Sequence, residues 1–337
     1  MKTHLTLIAA ALTLVLAACG GGGSGSGSTA NTSGSSSSGS STNTSTQPTV
    51  PAGTTQTSPT YTAGSAQATM FTLINSYRSS CGFPTLQSNT LLDQAAQSHA
   101  QYMGLNGNQV TDTETKGNPG FTGVSGLDRA VALGWPSQIW VGADSAVFYS
   151  SPANTGAGYA TQMVQAWTAG VYHQQVVTLP TSVVGIGFAQ GNSNGYSYAL
   201  GSVSEALNST TMSNITTAAD APLTFPCQGL TGIAYSNSNE YPAPPSANAS
   251  FGTPVSVVGN YTDTVSITSA TMTDPTGNVI NLAILNSSTD PNKLISTWEA
   301  VAYPISPLQP NTVYLVHITG QINSSSYTRS FTFTTGA

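Results

Sequence analysis

The chain has 337 residues, only 5% of them charged, and a formal net charge of −6. A mild acidic excess with no basic run argues against nucleic acid as a partner. Surface polarity must therefore come from Ser, Thr, Asn and Gln. The roughly 275 residues after the first sixty exceed one typical core and predict two folded domains.

At the N-terminus, Lys2 and His4 precede the apolar run "LTLIAAALTLVLAA", which ends at Cys19. This run is too short to span a bilayer as a helix but suits the core of a signal peptide. The junction "LAAC" followed by Gly20 resembles the lipobox of a bacterial lipoprotein. The resemblance implies a signal peptide over residues 1–18, cleavage before Cys19 and acylation of that cysteine. An ordinary secretory signal is the alternative. The expected location is the cell envelope, with the protein exported and lipid-anchored. Gly20 favours the outer membrane, with the periplasmic or the surface-exposed side left open. Residues 19–60 are almost all Gly, Ser, Thr, Asn and Pro. Such a segment buries too little surface to offset its ordering entropy and reads as a flexible tether with a span of roughly 35 Å. In an exported protein the two remaining cysteines, Cys81 and Cys227, are expected to pair as a disulfide, with two free buried thiols as the alternative.

The first folded region, residues 61–228, reads as helices followed by a hairpin. Ala66, Met70, Leu73, Ile74, Tyr77 and Cys81 recur at helical spacing, and Gly82 is placed to end the helix. Leu92, Ala95, Ala96, His99 and Met103 repeat the pattern, with Ser88 or Asn89 as cap. His99 thus lies on an apolar stripe, as a hydrogen-bonded core histidine or, alternatively, a cleft residue. A third helix covers "YATQMVQAWTAG". Val184, Ile186 and Phe188 then alternate with Gly185 and Gly187 in a strand whose glycine face invites close helix approach. Asn194-Gly195 signals a tight turn into the returning strand.

These pieces, in this order, resemble a CAP domain, the superfamily of cysteine-rich secretory proteins, antigen 5 and pathogenesis-related 1, in its bacterial SCP-like form. "INSYRSSCGFPTL" resembles the first family helix, "LLDQAAQSHAQYM" the second, "DTETKGNPGFTG" the cleft loop and "DRAVALGW" the arginine helix. "WTAGVYH" keeps the six-residue step from tryptophan to histidine, and "VVGIGFA" resembles the closing strand. The resemblance implies an α+β fold, a three-layer α/β/α sandwich around a small antiparallel sheet. It also implies a cleft built from two histidines and one or two glutamates, which holds a divalent metal in some members. Here the first histidine position is Asp112, the nearby acid is Glu114, and the second histidine is His173. The glutamate of the family's Gly-Glu-Asn has become Ala143, with Asp144 next to it.

Two readings of Asp112, Glu114, Asp144 and His173 stay open. Together they offer an oxygen-rich set with one nitrogen; His173, Asp112 and Glu114 as ligands would suit Ca²⁺, Mg²⁺ or Mn²⁺ better than Zn²⁺. Alternatively the acids are ordinary loop carboxylates, near enough to pair with Arg129 and Lys116. No confident catalytic residue emerges. His173 with Asp144 or Glu114 could act as base and orienter in a hydrolase of protein or envelope polymer. Yet no G-x-S-x-G, H-E-x-x-H or C-x-x-C motif accompanies them. The resemblance favours a non-enzymatic module, requiring no cofactor, that binds a sterol, another lipid or a protein partner. A mobile loop carrying Trp135, Trp140, Phe148, Tyr149 and Tyr159 would line the groove, or those rings are core. A structural envelope protein is the third reading.

Residues 229–337 are all-β by pattern. Strands are predicted at "PVSVVG", "TVSITSATMT", "NVINLAIL", "STWEAVAYP", "TVYLVHITGQI" and "YTRSFTFTT", separated by turn signals such as "DPTGN". Their spacing predicts an immunoglobulin-like sandwich. Asp263, Asp274 and Asp290 fall in its turns, and His317 falls in a strand.

Overall fold

The computed structural model describes residues 48–207, 222–238 and 240–337. The expected signal peptide, Cys19 and the tether as far as residue 47 lie outside the described residues.

Residues 48–60, expected to be the end of the tether, are instead part of the fold. Strand β1 (Thr55–Gln56) pairs antiparallel with β2 (Gln87–Asn89). Asn89 holds it there by donating to the hydroxyls of Thr54 and Thr55, both at 3.1 Å. Low apolar content predicts disorder only where no neighbouring edge supplies such partners.

Helix α1 (Ala66–Ser80) starts at Ser65, whose hydroxyl accepts from Ala68 N–H, and buries Met70, Ile74 and Arg78. Helix α2 (Thr90–Leu105) starts at Asn89, which caps two amides. Helix α3 (Gly126–Ala132) opens with a capping box in which Ser125 and Asp128 satisfy each other's amides. Strand β3 (Val141–Ser150) follows, then helix α4 (Gly156–Ala169) and the short helix α5 (Gln175–Thr178). A long hairpin, β4 (Val183–Ser193) and β5 (Tyr196–Ala206), turns at Asn194-Gly195, both at positive φ. The sheet order is β1-β2-β4-β5-β3, so β3 is an edge strand.

Alternation along β4 and β5 separates two helical layers. Val184, Ile186, Ala199 and Val203 face α1 and α4, packing on Met70, Ile74, Met163 and Trp167. The opposite face of β4 presents Gly185 and Gly187 to α2. A Cβ at either would collide with the α2 backbone at Leu92 and Ala96, so only glycine allows this approach. The region is thus a three-layer α/β/α sandwich, as the resemblance implied.

The second region holds two facing sheets. One has the order β11 (Leu282–Asn286), β12 (Glu299–Pro304), β9 (Val255–Val258), β6 (Leu223–Phe225). The other has β10 (Val265–Thr273), β13 (Val313–Ile322) and β14 (Ser325–Thr334). Between them pack Phe225, Val257, Met272, Ala302, Val316 and Phe333. A small ribbon pairs β7 (Asn237–Ser238) with β8 (Ser250–Phe251). All six predicted strands form in this β-sandwich. Strand β6 was not predicted; its three residues are too few to show a period, and it places the start of the second region before residue 229.

The two regions share buried surface. Cys81, Phe83 and Val177 belong to the sandwich core cluster, and Val171 and Tyr172 pack on Phe251, Ile295 and Tyr303. Cys81 and Cys227 form the expected disulfide, with Cα atoms 5.4 Å apart.

Candidate functional site

The cleft lies along β3, where the loop after α2 and the segment after α4 meet the second region. A cavity of about 960 Å³ is lined by Asp112, Ser145–Phe148 of β3, Trp167, His173 and Glu240, with residues 234–238 opposite.

His173 sits just after α4, in the turn Gly170–His173. Its Nδ1 lies 2.9 Å from Glu240 Oε1, and its side chain is 22% exposed while that of Glu240 is fully buried. The same carboxylate accepts the backbone N–H groups of Val171 at 2.9 Å, Tyr172 at 2.7 Å and His173 at 3.3 Å. Four donors thus converge on one carboxylate. Gly170 permits the approach, since a Cβ there would come within 2.8 Å of Glu240 Oε1. Burial alone would lower the imidazole pKa. The Glu240 hydrogen bond and the fields of Asp144, Glu240 and Asp112 outweigh it and hold the pKa at about 9. His173 is therefore an imidazolium at neutral pH.

Asp112 lines the cavity on the other side. Its backbone is fixed from behind, because Arg129 donates two hydrogen bonds to the Asp112 carbonyl, both 3.2 Å. Among the described residues its carboxylate forms no salt bridge. The surrounding protein pushes its pKa up while Ser145, His173, His99 and Arg129 pull it back, and water reaching the exposed side chain weakens the push. Asp144 is close enough to sense the same groups. Burial raises its pKa to about 7 against the pull of His173, with Asp112 and Glu240 adding to the rise.

Glu114 is not part of the cleft. It is buried behind the loop, with Oε1 3.0 Å from His99 Nδ1, and Oε2 accepts the N–H groups of Thr122 and Gly123. Arg129 Nε lies 3.9 Å away. His99 is fully buried, and its Nε2 donates to the Thr111 carbonyl at 2.6 Å. It is the hydrogen-bonded core histidine of the sequence reading. Burial and the Arg129 charge lower its pKa, against the pull of Glu114. The His99–Glu114–Arg129 group thus anchors the loop that presents Asp112.

The four sequence candidates therefore divide. His173 and Asp112 line the cavity, Asp144 lies close enough for their charges to act on it, and Glu114 turns away to His99. A divalent cation does not fit: among the described residues no three His, Cys, Asp or Glu side chains converge as metal ligands. Nδ1 of His173 is already bonded to Glu240. The expected mobile aromatic loop is also corrected, because residues 141–150 pair along β5 as strand β3. Trp135 and Tyr159 are buried, Trp140 and Tyr149 are half-exposed, and Phe148 lines the cavity.

Glu240 is the residue that sequence reading missed. It lies 67 positions after His173 in a polar stretch, "SNSNEYP", with no periodicity to place it. The available signal was rarity, since the chain has only 12 acidic residues in all.

Most of the three-layer α/β/α sandwich, with Asp112 and His173 of its cleft, falls within a span that matches a known family. Residues 71–204 match the model of the cysteine-rich secretory protein family, CAP, and the chain carries a domain of that family over this span. None of the curated proteins compared matches the chain significantly.

Proposed function

We propose that the chain is an exported, envelope-anchored CAP protein whose cleft binds a ligand without turning it over. The carrying observation is the His173–Glu240 pair. A general base must be unprotonated near the operating pH, whereas this imidazole is held charged, with one nitrogen committed to a buried carboxylate. No nucleophile within hydrogen-bond distance of His173 appears among its bonds, which speaks against the hydrolase reading. The cavity is large enough for a small ligand. Its mixed lining, Phe148 and Trp167 beside Asp112 and Glu240, favours a ligand with a cationic or hydrogen-bonding group over a bare sterol.

The lipobox-like junction supports acylation at Cys19, with a tether holding the domain off the membrane. Membrane fractionation of the wild-type and Cys19→Ser proteins tests the anchor; Cys19→Ser is expected in the soluble fraction. Calorimetric titration of the Cys19→Ser protein with fatty acid, sterol and organic amines tests the binding reading. Saturable binding is expected for amines. Turnover of peptide or ester substrates that disappears in folded His173→Ala would overturn it.

A further inference from the structure

One wall of the cavity is a strand at the edge of the sheet. Ser145–Phe148 of β3 line it, and β3 has β5 on one side and, among the described residues, no strand on the other. In an antiparallel strand every second residue turns its N–H and C=O to the same side, so an edge presents ladder groups to whatever lies beside it. The Ser145 carbonyl is already taken, accepting from the buried Trp167 Nε1 at 3.4 Å. Here that edge is recessed between the Asp112 loop and residues 234–238 rather than open on the surface. The three strand residues after Ser145 span roughly 10 Å, room for a short extended segment.

Charge at this edge is unbalanced. The imidazolium of His173 is already matched by Glu240 at 2.9 Å. Arg129 spends its bonds on the Asp112 carbonyl, which leaves the Asp112 carboxylate in the cavity without an ion pair among the described residues. Beside it Ser145, 5% exposed, has an Oγ that faces the carboxylate without forming a close hydrogen bond.

From these placements we infer that the cleft takes an extended peptide segment as an added strand on the outer edge of β3, with a lysine or arginine side chain of the segment paired to Asp112. Backbone pairing supplies affinity and the charged pocket supplies selectivity. The inference rests on the binding reading above and names its ligand class.

The test is fluorescence anisotropy with the Cys19→Ser protein and a labelled pool of end-capped hexapeptides. Each peptide has one central lysine between randomised Thr, Val and Ser. Saturable binding is expected, weakened at least tenfold when the lysine is replaced by glutamate or when Asp112→Asn is used. N-methylation of alternate peptide nitrogens is expected to abolish binding in one phase and spare it in the other. Thermal melts of Asp112→Asn establish that it is folded. Equal binding of both N-methylated series, or of the glutamate pool, overturns the inference. If 1,5-diaminopentane binds in the cleft while no peptide does, the inference falls and the cleft reading stands; if neither binds, both fall.

Discussion

Glu240 Oε1 lies 2.9 Å from His173 Nδ1, although the two residues belong to different halves of the fold. The same carboxylate closes the turn after α4 through three backbone amides. The second region also holds the adjacent segment at Tyr172, whose hydroxyl donates to Asp290 at 2.9 Å, and at Gln175, which donates to Glu299 at 2.9 Å. Three buried acids of the β-sandwich therefore grip the one CAP segment that carries the cleft histidine.

Glu240→Gln keeps an acceptor for the amides but removes the charge. The His173 pKa is expected to fall from about 9 toward its ordinary 6.5, with Asp144 and Asp112 retaining part of the rise. An NMR titration of the imidazole reads this directly. Stability is expected to drop by about 2 kcal/mol, since a buried charged hydrogen bond is lost while its donors remain.

Stability is expected to fall between pH 7 and 9. His173 is raised in the fold, so its contribution is complete below about 6.5 and is lost as pH rises through about 9. Glu205, raised to about 8 mainly by burial, adds only the last part of its cost between pH 7 and about 8. Asp144, raised to about 7, has imposed most of its cost by neutrality. Urea midpoints at pH 7 and 9 are expected to differ by on the order of 2 kcal/mol, and Glu240→Gln should shrink the difference.

Cys81 and Cys227 close a loop with a sequence separation of 146. In the chain-entropy treatment a loop of this length is worth about 5 kcal/mol. The double Cys→Ala variant should therefore unfold at markedly lower denaturant, with the two regions separating first. A loss below about 1 kcal/mol in equilibrium unfolding would contradict the entropic account.

Gly187 has no room for a side chain against Ala96 of α2. Gly187→Ala is expected to push α2 off the sheet and cost about 3 kcal/mol. Because α2 carries His99, the anchor of the Asp112 loop should loosen as well. Hydrogen exchange at Thr111–Glu114 is expected to rise in parallel with the lost stability.

Much of the architecture was legible from local pattern alone. The spacing of Ala66, Met70 and Ile74, the glycine alternation of β4, the Asn194-Gly195 turn and the six sandwich strands each encode which face is buried, and burial of that face is what forms the element. The step from Trp167 to His173 likewise located the cleft histidine, because a helix end and the turn after it are short-range features. What surrounds that histidine was decided only in three dimensions. Glu114 is two residues from Asp112, yet the loop turns its carboxylate inward to His99 while Asp112 faces the cavity. Glu240 reaches His173 only because the β-sandwich docks against the turn after α4. Periodicity reports a residue's side of its own element; it carries no information on which distant segment packs there.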